Sequence, residues 1–143
     1  DHADFKKNGL INLKEDKKIK KVVICSGKIY FDLVEAREKN KNREVYFLRI
    51  EQLYPFPVKT LAKELKRFRK NSKFFWCQEE PQNMGAWNSA RNYIQWSLDY
   101  IKAENKTVHY IGRKPAASPA SGYLKKHLAE QNEILEKVIG KLN

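Results

Sequence analysis

The amino-acid sequence predicts an α/β domain of three layers, in which helices cover both faces of a mostly parallel sheet of about four or five strands. Four short apolar runs alternate along the chain with helical patterns, in the order β-α-β-α-β-α-β-α. None of the runs alternates polar with apolar residues, which is typical of strands buried on both faces. The chain of 143 residues is also long enough to bury a sizeable core of its own.

The apolar runs are the predicted strands. Two of them contain a cysteine, Cys25 and Cys77, each at the end of an apolar run rather than in a loop. Because the chain has no CxxC and no Cys/His ligand spacing, we expect two buried reduced thiols and neither a disulfide nor a metal site. The four runs are KVVICS (21–26), VYFLRI (45–50), KFFWCQ (73–78) and VHYI (108–111).

Each predicted helix has apolar residues at spacings of three and four, which defines one buried stripe. Pro57 suits the first position of the second helix, whose other side carries lysines. The stripe of the last helix starts at Leu124 and Leu128 and continues to the C-terminus. The helices are expected at 28–40, from Pro57 to about 68, at 86–103, and from about Tyr123 onward.

The first 20 residues are mostly polar and are interpreted as a linker or N-terminal arm before a domain over residues 21–143. Within 1–20, only Leu10, Ile11 and Leu13 favour an edge strand. No apolar run approaches the length of a membrane span, and the N-terminus has no apolar signal core. We therefore expect a soluble domain without a membrane partner.

The charge balance is strongly basic. The chain has 29 Lys and Arg against 17 Asp and Glu, a net charge of +12 and a mean hydropathy of −0.74, which raises nucleic acid as a partner. However, 22 of the 29 cations are lysines, whereas recognition of phosphates and bases favours arginine. We expect diffuse charge and no nucleic acid. A freestanding basic α/β domain that binds nucleic acid is the alternative, which a concentrated stripe of charge would favour.

Two of the loops that follow the predicted strands carry apolar side chains that a lone domain would not expose. The loop 51–57 combines two prolines with Tyr54 and Phe56, and the loop after the third strand contains Met84 and Trp87. We predict that these four residues form an interface with another domain or subunit. Local packing within the domain is the alternative.

An anion site is predicted at the same edge of the sheet, because helix N-termini and cations converge there. Its residues are Asn83, Gly85, Arg113, Lys114 and Lys125. A close-packed interface loop is one alternative, and neutralisation of these cations by Glu79 and Glu80 is the other. The candidate N-cap of the last helix is Ser121, and the short turn 26–28 is interpreted as a plain connection.

No catalytic residue is assigned. Glu79 and Glu80 are neighbours in an extended chain, so we expect one to face the interior or an interface and the other to face solvent. The histidines at positions 2, 109 and 127 have no nucleophile with a positioned base. The chain also lacks GxGxxG, GxxxxGK[ST], HExxH and GxSxG. These residues indicate a helper domain rather than a reaction centre.

Four segments of the chain stand out as a set: KVVICSGKIY from Lys21, RIEQLYPFP from Arg49, WCQEEPQNMGAW from Trp76 and YIGRKPAASPASG from Tyr110. Together they resemble the C-terminal domain of the thiamine-diphosphate-dependent 2-oxoglutarate dehydrogenase component. The resemblance covers about residues 21 to 140, in the family's order and spacing. At the start of the last helix, Tyr123 and Leu124 depart from the family's pattern, whereas His127, Glu130 and Gln131 keep it.

The resemblance implies a transketolase C-terminal-like fold and a place in the enzyme of the tricarboxylic acid cycle that decarboxylates 2-oxoglutarate. Earlier domains of such an enzyme bind thiamine diphosphate and magnesium, and the succinyl group passes to the lipoyl carrier of the dihydrolipoyl succinyltransferase component. This domain would pack the homodimer and contribute to a site for AMP or acetyl-coenzyme A. By itself it is expected to bind no cofactor and to be inactive.

The location implied by the resemblance is the bacterial cytoplasm, with the mitochondrial matrix as the alternative. The equivalent domain of another 2-oxo acid dehydrogenase or of a transketolase is a further alternative. The string from Glu79 to Trp87 favours the 2-oxoglutarate family over these.

Overall fold

Four parallel strands form the centre of the structure, a computed structural model that describes residues 11–68, 70–120 and 122–140. The strands are β1 (Lys21–Cys25), β2 (Val45–Arg49), β3 (Lys73–Pro81) and β4 (Val108–Arg113). The helices are α1 (Ile29–Lys39), α2 (Val58–Leu65), α3 (Trp87–Tyr100) and α4 (Leu124–Ile139). The α/β fold predicted from the sequence is confirmed.

The strands lie in the order β2-β1-β3-β4, and all three pairings are parallel. Val23 of β1 pairs with Phe47 of β2 on one side and with Phe75 of β3 on the other. The chain therefore leaves β1 toward one edge of the sheet and leaves β3 toward the opposite edge. In parallel sheets a crevice for ligands forms where the direction reverses, outside the carboxyl ends of the strands.

Two separate cores cover the two faces of the sheet, because successive side chains of a strand point to opposite faces. Val22 and Ile24 of β1 pack with α2 and α3, whereas Val23 and Cys25 pack with α1 and α4. The strands carry apolar residues at consecutive positions since both faces need them. This arrangement explains the continuous apolar runs in the sequence.

The described part of the N-terminal arm, residues 11–20, contains one 3₁₀ turn at Asp16–Lys18 and no strand. The expected edge strand is therefore not formed by these residues, and the sheet has four strands in the described part of the chain. Ile19 is nevertheless fully buried, and the N–H of Lys20 donates to the carbonyl of Glu44 at 3.0 Å. The domain boundary at residue 20 stays a prediction.

Two helices differ in detail from the sequence prediction. Helix α2 begins at Val58, so Pro57 is the residue before its first turn rather than within it. In α4, Leu124 and Leu128 are exposed because the buried contacts of this helix begin only in its second half, at Ile134. The N-cap candidate Ser121 lies outside the described residues. Among the described helices, none combines the length and apolar character that crossing a membrane requires.

Candidate functional site

A cleft of about 450 Å³ opens at the carboxyl edge of the sheet. The end of β3 lines it with Glu79 and Glu80, and the last residue of β4, Arg113, lines it from the neighbouring strand. The loop before α4 and the first turns of that helix complete the wall. These remaining lining residues are Pro119, Ala120, Gly122, Tyr123, Leu124, His127, Glu130 and Gln131.

A bulge interrupts the pairing of β3 at the residues that line this cleft. Cys77 pairs with Ile111 and Pro81 pairs with Arg113, so three residues of β3 lie opposite the single Gly112. Such an insertion bends a strand and changes the direction of its side chains. The expectation that Glu79 and Glu80 differ in their surroundings agrees with the structure, in which Glu79 is partly buried and Glu80 is exposed, although both residues line the cleft.

Glu79 and Glu80 nevertheless differ in what surrounds them. Glu79 is partly buried, and its Oε1 lies 3.7 Å from the ammonium of Lys28, the residue before α1. Glu80 is exposed. The ion pair links the loop after β1 to the end of β3. These two strands are neighbours at the centre of the sheet, and the connections that follow them run to opposite edges. The contact is a surface ion pair, since the Lys28 side chain is largely exposed.

The buried side-chain amide of Gln78 organises the loop between β3 and α3. Its oxygen accepts hydrogen bonds from Trp76 Nε1 at 2.9 Å and from the backbone N–H of Trp87 at 3.0 Å. Its nitrogen donates to the carbonyls of Met84 at 2.7 Å and Pro81 at 3.1 Å. The sequence did not predict this role. Gln78 follows Cys77 and precedes Glu79 and Glu80, and no motif distinguishes a glutamine at such a position.

Two glycines let the backbone approach closely at this edge. Gly85 has a positive φ of 65°, and a Cβ there would lie 2.9 Å from Nε2 of Gln78. At Gly112, a Cβ would lie 2.9 Å from the Gln78 carbonyl and closer still to the hydroxyl of Tyr110. That hydroxyl lies 3.1 Å from the carbonyl of Glu80. Burial is the main reason that the pKa of Tyr110 is raised to about 12.

Arg113 is already paired with a carboxylate. Its Nε lies 2.7 Å from Glu130 Oε2, an ion pair rather than a well-aligned hydrogen bond, and its Nη1 donates to the Pro119 carbonyl at 2.7 Å. The alternative that Glu79 and Glu80 neutralise the cations does not hold for Arg113, whose carboxylate partner is Glu130. With three carboxylates facing one paired arginine, the charge of the cleft does not favour an anion.

The structure brings together some of the residues predicted to bind an anion. Asn83 joins the two loops, since its amide donates to the Ala116 carbonyl at 2.9 Å and accepts from the Ala116 N–H at 3.0 Å. Lys114 lines a neighbouring cleft of about 360 Å³, and Lys125 is exposed and lines neither of these two clefts. Asn83 and Gly85 are thus engaged in holding the loops. Anion binding stays a prediction.

The four predicted interface residues have different surroundings. Tyr54 is 89% exposed, Met84 is partly buried, and Phe56 is partly buried against the ring of Tyr93 at 4.9 Å. Trp87 is only 7% exposed, so the expectation that it presents a ring to another domain is wrong. As the first residue of α3, it packs over the sheet in the domain's own core.

Both cysteines are free and buried, as predicted. Cys25 and Cys77 are register partners on the adjacent strands β1 and β3. Burial raises the pKa of Cys25 to about 12 and raises that of Cys77 well above its ordinary value. Among the described residues, no three His, Cys, Asp or Glu side chains form a group that could hold a metal ion.

The fold places the protein in the class of open parallel α/β domains. At the carboxyl edge of its sheet, the side chains of Gln78, Asn83 and Arg113 bond to backbone carbonyls of the domain's own loops. The family model described as 2-oxoglutarate dehydrogenase C-terminal matches residues 3–139, so the chain belongs to this family. The match begins at residue 3, in the N-terminal arm, whereas the resemblance seen in the sequence begins at about residue 21.

The chain is also similar to whole enzymes. The 2-oxoglutarate dehydrogenase E1 components of Brucella anthropi and Brucella ovis are each 51% identical to it over 140 residues. These alignments cover 98% of this chain and 14% of each relative. The chain therefore spans about one seventh of the length of these relatives and corresponds to their C-terminal domain.

Proposed function

We propose that this chain is the C-terminal domain of an enzyme that decarboxylates 2-oxoglutarate and transfers the succinyl group to a lipoyl carrier, a step of the tricarboxylic acid cycle. The observation that carries the proposal is the 51% identity to 2-oxoglutarate dehydrogenase E1 components over nearly the whole chain. The domain has a structural role in that enzyme, and the reaction takes place on other domains.

The surroundings of the polar side chains support a structural role. Arg113 lines the cleft, and Gln78 and Asn83 belong to the loop that follows β3 or to the end of that strand. The side chains of all three donate hydrogen bonds to backbone carbonyls of the domain itself. General acid-base catalysis needs a group free to exchange a proton with substrate. The side chains that hold these loops together are committed elsewhere, and we derive no step of the reaction from them.

Thiamine diphosphate and magnesium belong, in this proposal, to other domains of the enzyme. The residues present do not fit the magnesium-diphosphate unit, since the described part of the chain contains no group of three carboxylate, histidine or cysteine side chains for a metal. The cleft also presents the carboxylates of Glu79, Glu80 and Glu130, which would repel a diphosphate.

The proposed partners are the remaining domains of the same subunit, a second subunit in a homodimer, and the dihydrolipoyl succinyltransferase component. A regulator such as AMP or acetyl-coenzyme A would bind near the joined loops that contain Asn83 and Lys114. Because Arg113 is paired with Glu130, such an anion has to compete with that carboxylate. The Brucella relatives are bacterial, which supports the bacterial cytoplasm over the mitochondrial matrix.

The nucleic-acid alternative is not favoured, because the chain belongs to the dehydrogenase family over residues 3–139. The test of the proposed function is a grafted enzyme: the Brucella ovis E1 component in which the matched C-terminal segment is replaced by this chain. We expect the grafted enzyme to release CO₂ from 2-oxoglutarate with thiamine diphosphate and magnesium, and the chain alone to release none. A soluble grafted enzyme without this activity, beside an active native relative, would contradict the proposal.

A further inference from the structure

The outer side of α3 exposes an unusual number of aromatic rings. Trp96 and Tyr100 are 50% and 60% exposed and stack on each other, with ring centres 5.2 Å apart and planes inclined by 10°. Tyr93, one turn earlier on the same helix, is exposed and stacks on Phe56 from the loop before α2. The exposed Tyr54 belongs to that same loop. Contiguous exposed apolar surface of this kind marks an interaction site.

A row of lysines borders these rings. Lys66 of the segment after α2 places its ammonium 5.3 Å from the centre of the Tyr100 ring. Lys59 and Lys63 are exposed on α2, four residues apart and therefore on one side of the helix, and Lys70 is exposed after the helix ends. We call the row and the exposed rings of α3 the α2–α3 surface.

The lysines of the α2–α3 surface have no carboxylate partner among the described residues. Lys20 pairs with Glu44 at 2.7 Å and Lys39 with Glu35 at 2.6 Å, whereas Lys41 and Lys106, like the lysines of this surface, have no ion pair in the part of the chain that the structure describes. In the described residues, no carboxylate lies within ion-pair distance of the four lysines at positions 59, 63, 66 and 70. The surface therefore combines apolar rings with positive charge that no carboxylate of the described residues pairs with.

This combination identifies the chemistry of the partner. A second copy of the chain would bring the lysine row against another lysine row, and the net charge of +12 adds to that repulsion. A partner must instead offer carboxylates beside apolar side chains. The alignments leave 86% of each Brucella relative outside the matched segment, so a large polypeptide surface is covalently attached in these relatives.

We propose that the α2–α3 surface docks against an acidic, partly apolar surface on the catalytic part of the same subunit. This inference rests on the proposed function. It assigns the contact between domains to Trp96, Tyr100 and the lysine row. None of these residues lines the cleft at the carboxyl edge of the sheet. Burial of the rings excludes water, and carboxylates on the partner balance the lysines.

Hydroxyl-radical footprinting tests the proposal, because exposed aromatic side chains react rapidly and covered ones do not. The oxidation rates of Trp96 and Tyr100 are compared between the isolated chain and the grafted enzyme. We expect both rates to fall about tenfold in the grafted enzyme, as for side chains in the dry centre of an interface. Phe31, which is exposed on α1 on the other face of the sheet, serves as the internal control and keeps its rate. Unchanged rates at Trp96 and Tyr100 would overturn the proposal.

Carbodiimide coupling identifies the partner, since it joins a lysine ammonium to a carboxylate in direct contact. We expect Lys59, Lys63 or Lys66 to be joined to Asp or Glu residues of the Brucella portion, in a product with the mass of one chain. A product with the mass of two chains would assign the surface to a second subunit and overturn the proposal. Protection of Trp96 by added DNA, but not by the graft, would assign it to nucleic acid and equally overturn it.

A pair of charge-reversal variants of the grafted enzyme completes the test. Lys63→Glu places a carboxylate in the row, and we expect Trp96 to regain most of its oxidation rate. Lys39→Glu on α1 makes the same charge change away from this surface and leaves Trp96 protected. An active grafted enzyme with unprotected Trp96 rejects the docking surface alone. An inactive one with protected Trp96 rejects the proposed function alone.

Discussion

The side-chain oxygen of Gln78 accepts a hydrogen bond from the backbone N–H of Trp87 at 3.0 Å. Trp87 is the first residue of α3, which has no side-chain cap at the residue before it. Gln78, in the bulged end of β3, therefore supplies one of the hydrogen-bond acceptors that the helix start needs. The contact ties the end of β3 to the start of α3 and shapes the loop between them.

Gln78→Leu should lower the free energy of unfolding by about 2 to 4 kcal/mol, because it leaves the buried N–H groups of Trp76 and Trp87 without acceptors. Urea unfolding followed by tryptophan fluorescence measures the change. Gln82→Leu is the matched control, since no side-chain hydrogen bond of Gln82 occurs within the described residues. Equal unfolding midpoints for the two variants would contradict the role of Gln78.

Gly85→Ala should destabilise the domain more than Gly27→Ala. Both glycines have a positive φ, 65° and 76°, so both substitutions cost roughly 1 kcal/mol of backbone strain. Only at position 85 does the new Cβ meet a neighbour, the Gln78 amide at 2.9 Å, whereas nothing lies within 4 Å at position 27. Thermal unfolding of the two variants measures the difference. A loss at position 27 equal to or larger than that at position 85 would be inconsistent with the loop geometry.

The thiols of Cys25 and Cys77 should not react with Ellman's reagent in the native protein. Both are buried, and the pKa of Cys25 is raised to about 12 by burial, so almost no thiolate forms near neutral pH. We expect both thiols to react at once after unfolding in guanidinium. A thiol that reacts equally fast in the native and unfolded protein would show that the sheet around it opens readily.

The ion pairs of Glu44 predict a loss of stability in acid. Hydrogen bonds from Lys14 and Lys20 lower the pKa of Glu44 from 4.5 to about 2. A depressed folded-state pKa stabilises the protein above the unfolded pKa, and this stabilisation is lost as the pH falls from about 4.5 toward 2. Urea midpoints at several pH values measure the loss.

Glu44→Gln should flatten the acid limb of that stability profile, whereas Glu104→Gln, at an exposed carboxylate, should leave it nearly unchanged. The two variants remove the same charge, so a difference between them reports the contacts of Glu44 with Lys14 and Lys20. Parallel profiles for both variants would mean that these contacts do not stabilise the fold.

The fold could be predicted from the sequence because both faces of the sheet are buried. Val22 and Val23 must face different helical layers, and only a continuous apolar run satisfies both. The lysines opposite the stripe of α2 and the buried thiols followed from the same reasoning. Burial of a strand and the period of a helix are local properties that leave a direct trace in the residue pattern.

The site was less predictable because it depends on contacts between distant segments. The pairing of Arg113 with Glu130 and the bonds of Asn83 with Ala116 join loops and helices that the sequence separates. The bulge in β3 beside Glu79 and Glu80 has no local sequence signal. Trp87 follows a loop yet is buried, since the helix that it begins lies directly over the sheet.

In the proposed enzyme, this chain is a structural C-terminal domain and the cofactor binds to other domains. Calorimetric titration with thiamine diphosphate and magnesium tests it most directly, with the isolated chain and the grafted enzyme measured side by side. We predict a saturable heat at micromolar cofactor for the grafted enzyme and none for the isolated chain. A saturable heat at micromolar cofactor for the isolated chain would contradict the account.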